Sequence, residues 1–219
     1  MKTRQWLFLG AVWVGVFLLT GCDLKLANGT SATRQVSLDG VKLIAADISN
    51  SSDATTMGQS SYKISTDRRL LLRFEDLTER AMDINVTTDK KVELYTYCLD
   101  YPTCYTDALT ELKLCPVTRE WMMLATWNYA HPFGSGAWHH PGGDYEEDGC
   151  LSPVNETIDP LATEPTPMKF DIKSWVIDYA QGRKKNDGWI LLTEPAYTTD
   201  IYGEKSGRYS PRLKFDEYL

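Results

Sequence analysis

Between residues 128 and 148 the sequence gathers most of the side chains that could do chemistry. His131, His139 and His140 are its only histidines, and Asp144, Glu146, Glu147 and Asp148 place four carboxylates within five residues. Hard oxygen donors at that density suit Ca2+, which takes about six to eight oxygens. The cluster is therefore a candidate structural calcium site, and no other cofactor is suggested. Its spacing is not that of an EF-hand loop, and a solvated acidic loop is the plainer reading. Adjacent His139 and His140 point oppositely in an extended chain, which argues against their sharing one ion. No HExxH occurs, and Gly134-Ser135-Gly136 is not the GxSxG nucleophile elbow. Glu146 or Glu147 with Asp171 would make a glycosidase pair only at a suitable separation, which the sequence does not supply. No catalytic constellation emerges, and the chain is not expected to be an enzyme. Trp138 lies in a loop with Gly134, Gly136 and Gly142. A ring displayed there can stack on the apolar face of a sugar, as Tyr129 and Tyr145 can. The competing reading folds Trp138 back over the end of the domain.

The N-terminus carries chemistry of another kind. Lys2 and Arg4 precede Trp6 to Leu19, an uncharged, mostly apolar run of 14 residues. A spanning helix needs about 20 residues, so the run is short for one. A charged start, a short apolar run and small residues at its end describe a secretory signal. The ending Leu19-Thr20-Gly21-Cys22 resembles the bacterial lipobox, which implies cleavage before Cys22 and acylation of its thiol and new amine. Residues 1–21 then read as a cleaved lipoprotein signal peptide, 22–35 as a lipidated flexible tether, and 36–219 as the folded domain. Burying acyl methylenes, each worth about 0.8 kcal/mol, would hold the protein on a membrane surface of the bacterial cell envelope. Asp23 resembles the enteric inner-membrane retention signal, and the side of the envelope stays open.

Setting Cys22 aside leaves Cys98, Cys104, Cys115 and Cys150, an even number suited to disulfides in an oxidising compartment. Of three connectivities, Cys98–Cys104 with Cys115–Cys150 closes a short loop and then a longer one without entangling them. The scattered spacing, with no CxxC pair, speaks against zinc. Without Lys2 and Arg4, 21 basic residues face 30 acidic ones, a net −9. That balance excludes a nucleic-acid partner, whose phosphates demand a basic face.

The elements that must position these residues are short strands separated by Gly, Pro, Asn, Asp and Ser. Residues 36–38 and 41–44 are strand-like, and 49–61 form a polar loop. Arg69–Phe74 is a strand. Lys91 to Cys98 alternates, with Val92, Leu94, Thr96 and Cys98 on one face and Glu93, Tyr95 and Tyr97 on the other. Residues 128–167 read as long loops, 174–181 as one short helix, and 189–193 and 212–215 as strands. The pattern predicts an all-β fold, an antiparallel, jelly-roll-like β-sandwich with long loops. Trp127, Trp175 and Trp189 belong to its core.

Several blocks in order resemble the DNRLRE-type domain, an extracellular β-sandwich related to carbohydrate-binding modules. They are Ala46-Asp47, Arg69–Leu77 (RLLLRFEDL), Trp121 with Ala125-Thr126-Trp127-Asn128, and Trp138 with Gly142-Gly143-Asp144. Phe170-Asp171-Ile172 with Trp175, Asn186–Leu192, and Glu204–Tyr218 with Arg208–Leu213 complete the set. The chain departs from the family at Leu77-Thr78-Glu79-Arg80, in its four cysteines and in the acidic segment 144–167. The resemblance implies a non-catalytic, membrane-anchored module that binds an extracellular or envelope polysaccharide through loop aromatics. The alternative is a structural or protein-interaction component of the envelope.

Overall fold

The computed structural model describes residues 33–37, 41–83, 91–99, 104, 110–131, 136–154, 164–194 and 197–218. The signal segment, Cys22 and the tether as far as residue 32 lie outside them. The strands in chain order are β1 Thr33–Ser37, β2 Leu43–Ser49, β3 Ser52–Thr56, β4 Ser61–Ile64 and β5 Arg68–Phe74. Helix α1, Leu77–Asp83, precedes β6 Val92–Thr96, β7 Leu112–Pro116, β8 Tyr129–His131, β9 Gly136–Ala137 and β10 Met168–Asp171. Helix α2, Lys173–Ala180, precedes β11 Trp189–Thr193, β12 Thr199–Tyr202 and β13 Arg212–Tyr218.

All the ladders are antiparallel, as expected. One sheet has the order β1-β13-β6-β10 and the other β3-β2-β5-β11-β7. Along the chain β5, β6, β7, β10, β11 and β13 fall alternately in the two sheets, the alternation a jelly-roll-like sandwich requires. The pair β4–β12 joins the first sheet through a bridge between Cys98 and Ile201. The main core lies between the sheets. Leu70, Leu72, Trp189 and Leu191 from one meet Leu94, Phe170, Leu213 and Phe215 from the other.

The alternation in β6 has the expected result: Val92 and Leu94 face this core. Tyr95 and Tyr97 on the opposite face are also buried. Lys169 and Lys214 lie over the Tyr95 ring at 5.2 and 4.5 Å, and Arg212 lies over Tyr97 at 5.2 Å. Long cationic side chains cover an aromatic face, and Arg212 also donates to the Tyr97 hydroxyl and the Arg208 carbonyl.

The larger sheet is buried on both sides. Ile44, Ala46, Ile48, Leu71, Cys115 and Ile190 form its outer face, and Val117, Trp121, Ala125, Trp127, Ala130 and Trp138 lie on top. A sheet covered on both faces has near-continuous apolar strands rather than alternating ones. That is why β11 reads WILLT. The covering segment, residues 117–131 and 136–151, is thus a folded third layer where the sequence suggests loops from residue 128 onward. It contains the β8–β9 hairpin and a 3-10 turn, Glu147–Gly149.

Three further differences from the sequence reading are local. Strand β3 lies inside the expected polar loop 49–61, because its small polar residues take their partners from β2. Strand β1 starts at Thr33, so the last residues assigned to the tether belong to a sheet. Helix α1 was not anticipated; Leu77 and Ala81, one helical turn apart, are both buried in the main core.

Helices α1 and α2 pack together at one end of the sandwich. The chain enters the domain at that same end. Phe215 pairs with both Val36 and Val92, and Thr33 pairs with Tyr218, beyond the start of β6. The amide of Ile172, just before α2, donates to the Val92 carbonyl at 3.0 Å.

Both disulfides have the connectivity favoured from sequence. Cys98–Cys104 spans six residues with Cα atoms 6.3 Å apart, and Cys115–Cys150 spans 35 with Cα atoms 4.1 Å apart. The second fastens the covering layer to β7, next to a reciprocal backbone pair between Leu114 and Leu151.

Candidate functional site

Trp138 is not displayed. It is buried, and its Nε1–H donates to the Thr126 carbonyl at 2.9 Å. It therefore offers no platform for a sugar. Tyr145 is half-buried and already engaged, because the Arg69 guanidinium lies between the Tyr145 and Trp127 rings at 5.5 and 4.9 Å. Arg69 Nη1 donates to the Gly142 carbonyl at 2.8 Å, so one cation secures three parts of the covering layer. Burial pulls the Arg69 pKa below its usual value. Gly142 has φ 93°, and a Cβ there would lie 2.8 Å from both Arg69 Nη1 and the Trp127 ring. Only glycine fits. Of the three aromatic candidates, Tyr129 alone is exposed, at 44 %.

The four carboxylates of the acidic cluster do not converge. Asp144 is buried and turned inward, accepting the backbone N–H of His139 and of His140 at 2.9 Å each. Glu146 pairs with Lys184 at 2.6 Å, while Glu147 and Asp148 stand exposed in the 3-10 turn. Among the described residues, no group of three or more acidic, histidine or cysteine side chains is arranged to hold a metal ion. The calcium candidate is thus replaced by a loop organised around one carboxylate.

The histidines also differ from expectation. Residues 139–142 turn rather than extend, and His139 and His140 both approach Asp144, with Nδ1 at 2.9 and 3.7 Å. His139 Nε2 lies 3.3 Å from Arg119 Nη1, which can only donate. His139 is thereby a link between Arg119 and Asp144.

Burial by itself would raise the Asp144 carboxyl, but the backbone amides of His139 and His140 together with the His139 ring outweigh it and hold the pKa below the ordinary value. A depressed folded pKa stabilises above the unfolded value, near 4, and that contribution is lost as pH falls through the folded one. Asp144→Asn is expected to lower stability by roughly 1–3 kcal/mol at neutral pH and to cost much less in acid. Urea midpoints at the two pH values check this; an equal loss at both would contradict it.

The open site lies at the helical end. A cleft of about 420 Å3 is bounded by Arg73, by Asp76 before α1 and Glu79 in its first turn, by Glu120 and by Lys185–Asp187. A second hollow of about 330 Å3, reaching Glu146, Lys184 and Tyr179, shares Lys185 and Asp187 with it. The two hollows flank Lys185, and each is of the size small ligands use.

Lys185 stands at the junction, 2.6 Å from Glu120 Oε2 and 3.3 Å from Asp187 Oδ1. Its hydrogen bond to Glu120 raises the lysine pKa and lowers that of the glutamate. Both side chains are more than 60 % exposed, so the pair contributes little stability and is readily exchanged for a ligand. Beneath them Asn186 Nδ2 donates to the Phe74 carbonyl at 3.1 Å, and the Trp121 indole donates to the Asp187 carbonyl at 2.7 Å. The floor is therefore rigid and the rim adaptable.

Gly188 lets the floor loop meet the sheet. Its φ is 84°, and a Cβ would lie 2.4 Å from the Leu72 carbonyl. In the sequence Glu120, Lys185 and Asp187 are each ordinary alone, and none is marked as a ligand-binding candidate. The one local signal is the turn-prone Asn186-Asp187-Gly188 before an apolar strand.

No protein-family model matches the chain, and comparison with curated proteins finds no significant match. The fold and the site define the class as an all-antiparallel β-sandwich with a polar groove at one end. Among the described residues no helix is long and apolar enough to cross a membrane.

Proposed function

We propose that the protein is a lipid-anchored, non-catalytic component of the bacterial cell envelope that holds a polysaccharide segment in its end groove. The anchor rests on the signal-like start and Leu19-Thr20-Gly21-Cys22. The recognition role draws support from the ordered motifs that resemble the DNRLRE-type domain.

The observation that carries the reading is the groove itself. It is open, and its 420 Å3 hollow is lined mainly by groups that donate and accept hydrogen bonds, with the exchangeable Lys185–Glu120 pair among them. Such a lining suits a hydroxylated polymer better than an apolar ligand. With Trp138 and Tyr145 taken by the fold, hydrogen bonding does the work first assigned to loop aromatics.

Affinity electrophoresis against purified envelope polysaccharides tests the proposal. Wild-type protein is expected to be retarded by at least one, and Lys185→Ala with Glu120→Ala to weaken that binding about tenfold or more. Tyr129→Ala is expected to leave it unchanged. Binding lost in Tyr129→Ala and kept in the groove variant would sink the groove assignment.

A further inference from the structure

The covering layer carries an apolar surface that the groove does not use. Met122, Met123 and Leu124 are consecutive and exposed at 48, 47 and 43 %, and Tyr129 beside them is exposed at 44 %. A cluster of large apolar groups on a surface is a candidate contact with a membrane or a partner.

This loop is preorganised. The Ala125 amide donates to the Met122 carbonyl at 2.8 Å, Thr126 to Tyr129 at 2.8 Å, and Met122 to Ala130 at 3.0 Å. Buried Trp121 and Ala125 bracket the three side chains from below. Arg73 holds Trp121 by donating to its carbonyl at 3.0 Å and lying 4.9 Å over its ring.

We infer that Met122, Met123, Leu124 and Tyr129 form a membrane-contacting loop that inserts into the interfacial region of a lipid bilayer. Two observations favour lipid over a protein partner. At about 200 Å2 for a large side chain, these exposures sum to on the order of 350 Å2. A stable protein–protein interface needs about 800 Å2 from each partner.

The second observation is where the chain enters. Trp121 is tied to Asp187 and Arg73 at the helical end, and β1 enters at Thr33 at that same end. A lipid on Cys22 would be joined to this end by a stretch of chain that reaches at most about 40 Å. Apolar side chains with a tyrosine at the boundary suit the interface, where amphipathic rings concentrate. The inference rests on the lipid-anchor reading for its geometry, though the loop's own affinity for lipid does not require it.

The test separates the two. Residues 32–219 form one compact unit, so residues 22–219 with Cys22→Ser supply a folded, unacylated protein. Flotation with dioleoyl phosphatidylcholine vesicles is expected to show partitioning that falls about tenfold or more in Met122→Ser/Met123→Ser/Leu124→Ser. The melting temperature should be unchanged, and Met123→Asp alone serves if the triple variant does not fold. Equal flotation of wild type and variant overturns the inference. So does a loop effect confined to crosslinking with an envelope protein. The intact mass of full-length protein extracted from membranes tests acylation separately. Loop-dependent flotation with an unacylated Cys22 would keep the loop and remove the anchor, and the reverse result would keep the anchor and remove the loop.

Discussion

Trp189→Ala is expected to destabilise the protein by about 3–5 kcal/mol, the usual cost of truncating a buried tryptophan. Trp189 is fully buried at the start of β11. Its ring lies 6.0 Å from Phe74 of β5, 6.1 Å from Trp175 and 6.4 Å from Tyr179 of α2. One side chain therefore joins the sheet to the helical end that bears the groove. Domains are commonly stable by only about 5–15 kcal/mol, so such a loss leaves little margin. Urea denaturation followed by far-ultraviolet circular dichroism measures it. A loss below about 1 kcal/mol would mean the site collapses around the missing ring, and the rigid-floor description of the groove would fail with it.

Replacing Cys115 and Cys150 by alanine is expected to have the next largest effect, and a more local one. A bridge closing 35 residues contributes about 4 kcal/mol by loop entropy, against about 2 kcal/mol for the six-residue Cys98–Cys104 link. The longer bridge also fastens the layer that covers Ile44, Leu71 and Ile190. Its loss should raise hydrogen exchange across 117–150 well before it does so in β6 or β13. Equal losses on removing either bridge, or exchange rising uniformly, would contradict the separate-layer description. The exposed outer sheet should also make the variant prone to association, since a broad apolar face would then meet water.

How far the sequence could be read depended on whether each pattern was local. In β6 the alternation VELYT reports burial on two faces of one strand, and β6 forms where that alternation places it. In β11 a short apolar run beside Asn186-Asp187-Gly188 was enough for a strand. Strand β3 was hidden because SDATT has no apolar face of its own and becomes a strand only by pairing with β2. Helix α1 was hidden for a similar reason, since seven residues with two buried positions make too brief a period to recognise.

The candidate site was less legible. Trp138 looked displayed because it stands among glycines, yet its ring is buried and its Nε1–H is bonded to the Thr126 carbonyl. Asp144 looked like part of a charge cluster, yet it is the one carboxylate of the four that the loop wraps around. Glu120, Lys185 and Asp187 come from two distant stretches of chain and meet only at the end of the sandwich.

By itself, then, the sequence determined the all-antiparallel strand content and an even set of cysteines whose simplest pairing is the one formed. Both follow from short-range periodicity and from counting. The tertiary structure alone decided that the larger sheet is covered on both faces and that Trp138 and Tyr145 serve that cover. It also decided that the open polar groove lies at the end where the chain enters. The physical reason is that burial belongs to pairs of surfaces, and a side chain's exposure is set by whatever the rest of the chain brings against it.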